Sequence, residues 1–119
     1  MASMTYPQLN ALAATLAEGK YVVMAKDGVT PYFFEIKKVK GGNRIYRLIG
    51  HPGDYARHTL NVKWQSYVLY VISQNPKQAI TLYGKHAHFC GACDSPLTHE
   101  RSRKCGMGPK CAPQWGVKW

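Results

Sequence analysis

The sequence predicts an α+β fold: an N-terminal helix, a three-stranded antiparallel sheet, two more helices, and a cysteine-bearing module at the C-terminus. Three observations lead to it. Apolar residues recur at helical spacing near the N-terminus and again from Trp64, β-branched and aromatic runs broken by Gly-containing turns lie between, and all four cysteines fall at or after position 90. A chain of 119 residues supports one modest core, so residues 1–84 are expected to form an α+β body. Residues 85–119 are then a module packed on that body within one compact unit.

After Pro7, Leu9, Leu12, Ala13 and Leu16 recur at intervals of three and four, and Gly19 stands where a helix C-terminus places a left-handed residue. The run Tyr21 to Lys26 has strand character, and Asp27-Gly28 is a two-residue hairpin signal before the strand that ends at Val39. A second turn, Lys40 to Asn43, leads into a third strand over Arg44 to Gly50. The segment His51 to Asn61 carries Pro, Gly, Asp and two histidines and reads as a loop. From Trp64, the set Trp64, Val68, Val71 and Ile72 fits one helical face. Asn75 before Pro76 is an N-cap ahead of a proline at the first helical position, which starts another helix.

Lys and Arg number 16 against 6 acids, a formal charge of +10, so an anionic partner is expected: DNA or RNA first, a protein with an acidic surface second. Apolar residues make up 45% of the chain, so it can bury surface and is expected to fold. No apolar run reaches the roughly 20 residues of a membrane span, and the N-terminus lacks a basic leader followed by an apolar core. A cytoplasmic protein with reduced thiols is therefore expected, with no membrane partner. Glu35, Asp54 and the five histidines form no recognisable acid, base or nucleophile set, so neither an enzyme nor a small-molecule substrate is expected.

The cysteines are spaced C-x2-C-x11-C-x5-C, at Cys90, Cys93, Cys105 and Cys111. Four thiolates satisfy tetrahedral zinc completely, so this set points to a closed structural zinc site. Disulfides are disfavoured in a reducing compartment, and no thioredoxin-like pattern surrounds the C-x-x-C pair. The second pair is irregularly spaced, and His86, His88 and His99 are near enough in sequence to replace Cys105 as the fourth ligand. Gly106 and Gly108 allow tight turning, and Pro109 can open a short helix carrying Cys111 on its first turn. Knuckle, hairpin and helix start together describe a treble-clef-like zinc finger.

The residues Cys90, Cys93, Leu97, Thr98, Ser102, Gly106, Gly108, Pro109 and Cys111 fit the pattern C-x-x-C, Leu-Thr, Ser, Gly-x-Gly-Pro-x-Cys. This segment resembles a small cysteine-containing domain of unknown function that recurs in bacteriophage and actinobacterial proteins. The resemblance implies zinc and a phage or mobile-element setting within a bacterial host, and it implies no activity. Many members of that family have only the cysteines that match Cys90, Cys93 and Cys111.

Two basic sets are candidate binding surfaces: Arg101, Arg103, Lys104 and Lys110 in the finger, and Lys37, Lys38, Arg44 and Arg47 on the second hairpin. If they face one way they form one positive surface, on which Tyr32, Tyr46 and Trp64 could stack bases. No helix reads as a groove reader, so binding is expected to be mostly to the phosphate backbone. Two functions are consistent with these features. One is a basic, zinc-binding, phage-type accessory protein that binds nucleic acid. The other is a phage-type inhibitor or adaptor, acting in host takeover or anti-defence on a host defence or nucleic-acid-processing protein.

Overall fold

The computed structural model describes residues 4–119, and Met1–Ser3, which open the expected body, lie outside the described residues. Along the chain run α1 (Tyr6–Ala14), β1 (Gly19–Met24), β2 (Pro31–Val39), β3 (Gly42–His51), β4 (Asp54–Thr59), α2 (Val62–Gln74), α3 (Pro76–Ala87) and α4 (Glu100–Cys105), then a 3-10 helix (Ala112–Trp115). The strands form an antiparallel meander in the order β1-β2-β3-β4. The sheet thus has four strands where three were expected.

The added strand is β4, drawn from the segment expected to be a loop. His51 pairs with Asp54, so Pro52-Gly53 is a two-residue turn with Gly53 at φ +87°. Nearly every residue of β4 is exposed, so its register rests on ladder hydrogen bonds to β3 and leaves no apolar alternation in the sequence. At the other end of the meander, pairing of β1 with β2 stops at Met24 and Pro31. Asp27-Gly28 therefore lies inside a longer connection, in which the Asp27 carboxylate accepts from the Val29 and Thr30 amides at 2.8 and 2.9 Å.

Helix starts follow their local chemistry. Thr5 and Gln8 close a capping box on α1. Asn61 caps α2 through the Trp64 amide, and Asn75 caps α3 with Pro76 in its first turn, as the Asn-Pro pair predicts. In α2 the buried residues are Ser66, Val68, Leu69 and Ile72, so the stripe is rotated from the expected one and Trp64 is left 53% exposed. Gly19 is not a helix terminator, because α1 ends at Ala14; it opens β1 at a close approach of the Gly91 carbonyl.

Register and pleat put Tyr21, Val23, Phe34, Ile36 and Ile45 on one sheet face, under α1 and α2. The opposite face carries Val22, Phe33, Glu35 and Leu48, and Tyr83 of α3 meets Phe33 edge-on at 5.8 Å. Tyr83 is fully buried, its hydroxyl 3.0 Å from that of Tyr55, and burial pushes its ionisation well above the usual tyrosine range. One apolar cluster joins Leu9, Tyr21, Ile36, Leu69, Ile72 and Ile80 to Cys90, Leu97, Met107, Cys111 and Ala112 of the C-terminal segment. Burying each large side chain of this cluster contributes roughly 1.5–3 kcal/mol. No described helix is long and apolar enough to cross a membrane.

Candidate metal centre

Helix α3 ends where His88 takes a left-handed conformation at φ 61°, and the chain doubles back on itself. The Cys90 amide donates to the Ser95 carbonyl at 2.9 Å and the Leu97 amide to the His88 carbonyl at 2.8 Å, with a bridge between Phe89 and Pro96. Inside this small hairpin the Asp94 amide donates to the Cys90 carbonyl at 2.8 Å, and Asp94 is also left-handed at φ 64°. That knuckle brings Cys93 round beside Cys90. It is tied to the sheet edge by the Lys20 amide, which donates to the Gly91 carbonyl at 2.8 Å.

The third thiol arrives from the far side of α4. Gly106 ends α4 at φ 81°, and its backbone lies so near α3 that a Cβ on either Gly84 or Gly106 would overlap the other helix's backbone. From there the chain returns over Gly108 to Cys111, which immediately precedes the 3-10 helix; Pro109 lies in a turn and opens no helix, contrary to the expectation. Cys90 is 1% exposed and Cys111 9%, whereas Cys93 is exposed.

The Sγ atoms of Cys90, Cys93 and Cys111 lie within 4.8 Å of one another. Sulfurs at about 2.3 Å from a tetrahedral zinc are about 3.8 Å apart, so a small contraction of the trio would accommodate a metal ion. Burial acts to raise the Cys93 ionisation, but the Ser95 hydroxyl and amide, with the Cys111 and Cys90 thiols, bring it down to about 7. Cys111 moves up instead, first through burial and then through hydrogen bonding to its two neighbours.

Cys105 does not join them. Its thiol donates to the Met107 carbonyl at 3.1 Å, because the last turn of α4 aims it at the loop's own backbone. The expected set of four therefore narrows to three among the described residues, and none of His86, His88 and His99 belongs to the group. His99 caps α4, its Nδ1 accepting from the Arg101 amide at 3.1 Å, and its ring packs on Trp119. The C-terminal tail docks on its own chain: Trp119 donates to the buried Ser102 hydroxyl at 2.8 Å, and Trp115 meets Tyr21 edge-on.

Residues 80–116 match the model of a family of unknown function, DUF6011. The matched span covers the part of α3 that holds Thr81 and Gly84, which Gly106 approaches, together with the knuckle and all three clustered cysteines. No curated protein and no solved structure matches the chain.

The basic candidates are divided by the fold. Lys37 and Arg44 are opposite each other on one sheet face, while Lys38 and Arg47 belong to the other face, where the Arg47 guanidinium lies 5.1 Å over the Tyr32 ring. In the finger, Arg101 stacks on Trp119 at 5.2 Å and Arg103 donates to the Leu97 carbonyl at 2.8 Å, so both have structural partners. Lys104 and Lys110 are exposed.

One feature with no local sequence signal is the ion cluster beneath the knuckle. Lys20 sits 3.6 Å from the buried Glu35 and 3.2 Å from Asp94, and Arg57 also pairs with Glu35, a hydrogen bond that raises its already high ionisation range further. These four residues come from β1, β2, β4 and the knuckle, so the sheet register and the docking of the knuckle on β1 bring them together.

Proposed function

We propose that this chain is a small, zinc-stabilised, basic accessory protein that binds nucleic acid mainly through the phosphate backbone. The observation that carries the reading is the state of its cations. Among the described residues, two of the sixteen Lys and Arg, Lys20 and Arg57, pair with carboxylates, leaving fourteen without one. Of the six acids, Glu35 is shared between those two cations, Asp27 is taken up by its own turn, and Glu18 accepts from the Lys38 amide at 2.6 Å. The positive field is therefore directed outward, and a polyanion is the partner that uses it.

Cys90, Cys93 and Cys111 would hold the zinc, which would fix the knuckle to the loop after α4. The phage or mobile-element setting is part of the same proposal and rests on the finger's resemblance. Equilibrium binding of a DNA duplex across a salt series tests the reading, with log affinity expected to fall by about 0.9 per phosphate contact for each log unit of salt. Flat salt dependence, together with a protein partner retained from a nuclease-treated host lysate, would favour the inhibitor or adaptor instead.

A further inference from the structure

Between the exposed side of α2 and the β1-β2 end of the sheet runs a groove of about 790 Å³, remote in sequence from the finger. Its walls are aromatic: Tyr32 is 39% exposed, Trp64 53%, Tyr67 38% and Tyr70 43%. Single exposed aromatics are ordinary, but four around one groove are not. Trp64, Tyr67 and Tyr70 follow at steps of three along α2 and so share its outward side, with Phe34 and Val68 beneath them as a buried apolar floor.

Charge decides what such a groove accepts. Lys26 and Lys63 stand in its lining, and Arg47 lies against Tyr32. The one acid in the lining, Asp27, has its carboxylate occupied by the Val29 and Thr30 amides and the Thr30 hydroxyl. An apolar peptide would leave the lysines without a counterion, and an acidic peptide would leave the ring faces uncovered. A strand that offers flat bases and phosphates in alternation uses both.

We infer that this groove is a binding site for single-stranded nucleic acid, with bases stacked on Trp64, Tyr67, Tyr70 and Tyr32 and phosphates on Lys26 and Lys63. The inference rests on the nucleic-acid reading above and assigns it a strand state and a location. Bases paired within a duplex cannot reach these rings, so the groove selects single strands, while exposed cations elsewhere still attract duplex phosphates.

Fluorescence anisotropy tests this with a labelled oligothymidylate of about 12 nucleotides and a duplex of equal length. The wild-type chain should hold the single strand at least about tenfold more tightly than the duplex. Trp64→Ala and Tyr70→Ala should each weaken single-strand binding by about tenfold, and Trp64→Phe should restore most of the loss. Duplex affinity and melting temperature should stay put, since these side chains are exposed, and Tyr6→Ala, at a more exposed aromatic on α1, should change nothing. Equal affinity for the two probes with unchanged aromatic variants would remove the groove site and leave the basic surface standing. Failure of both probes to bind would overturn both readings. Trp64-dependent capture of a protein without single-strand binding would give the groove to a protein partner and overturn this assignment.

Discussion

The sheet and the finger occupy one hydrophobic cluster but are held together by different means. Strands β1 to β4 carry a continuous ladder with residues such as Ile36 and Ile45 paired across it and buried. The segment after α3 has a six-residue helix, one isolated bridge and a four-residue 3-10 helix, too little backbone pairing to fix its own shape. What it has instead is the thiol trio and a close helix contact. A polypeptide segment this short is expected to keep its fold through cross-links, and here a metal ion held by the thiol trio would be the cross-link.

The largest expected effect separates these two modes of support. Cys93→Ser removes a ligand at an exposed position, so it disturbs little packing, yet it should abolish metal binding and expose the amides from about His88 to Val117 to exchange. Amides of β2 and β3 should stay protected. Simultaneous loss of protection in sheet and finger would show that the two regions form one cooperative unit and are not separately supported.

Gly84→Ala attacks the other attachment. The added methyl meets the Gly106 backbone, which cannot move without shifting α4, and a cost of roughly 1–3 kcal/mol or more is expected in urea unfolding. Full stability in that variant would mean that the finger does not depend on the helix contact. On the sheet side, Tyr83→Phe removes one hydroxyl from the Tyr55–Tyr83 pair and should cost about 1 kcal/mol without touching metal content.

Smallest of all is the turn acid Asp27. Hydrogen bonds from the Thr30 amide, the Val29 amide and the Thr30 hydroxyl hold its carboxyl below the usual range, so its ionised form favours the folded state. This support is present above the unfolded value near 3.9 and is lost as pH falls through the lower folded value. Unfolding midpoints of wild type and Asp27→Ala should therefore differ slightly at neutral pH and converge in acid. A gap that persists unchanged to the lowest pH at which the chain still folds would rule out the carboxylate as its source.

Much of this architecture was legible in the residues because local chemistry dictates it. Asn75-Pro76 starts α3, and the Lys40-Gly41 turn joins β2 to β3, as their turn and cap chemistry requires. Strand β4 was not legible, since an exposed edge strand needs no apolar alternation, although Pro52-Gly53 carried a turn signal. The face read through Trp64, Val68, Val71 and Ile72 differs from the one α2 buries, because apolar residues at helical spacing cannot tell a buried face from an exposed aromatic one; Tyr67 and Tyr70 at steps of three were the available hint. In the finger, spacing identified the cysteines but not where each thiol points. Only the end of α4 at Gly106 decides that Cys105 faces a carbonyl while Cys111 meets Cys90 and Cys93.

Metal analysis of two exchanges tests the central claim most directly: elemental content per chain in Cys105→Ser and in Cys111→Ser, purified side by side with the wild type. The three-cysteine centre predicts one zinc per chain in the wild type and in Cys105→Ser, and none in Cys111→Ser. Zinc lost from Cys105→Ser, or no zinc in the wild type, would contradict it.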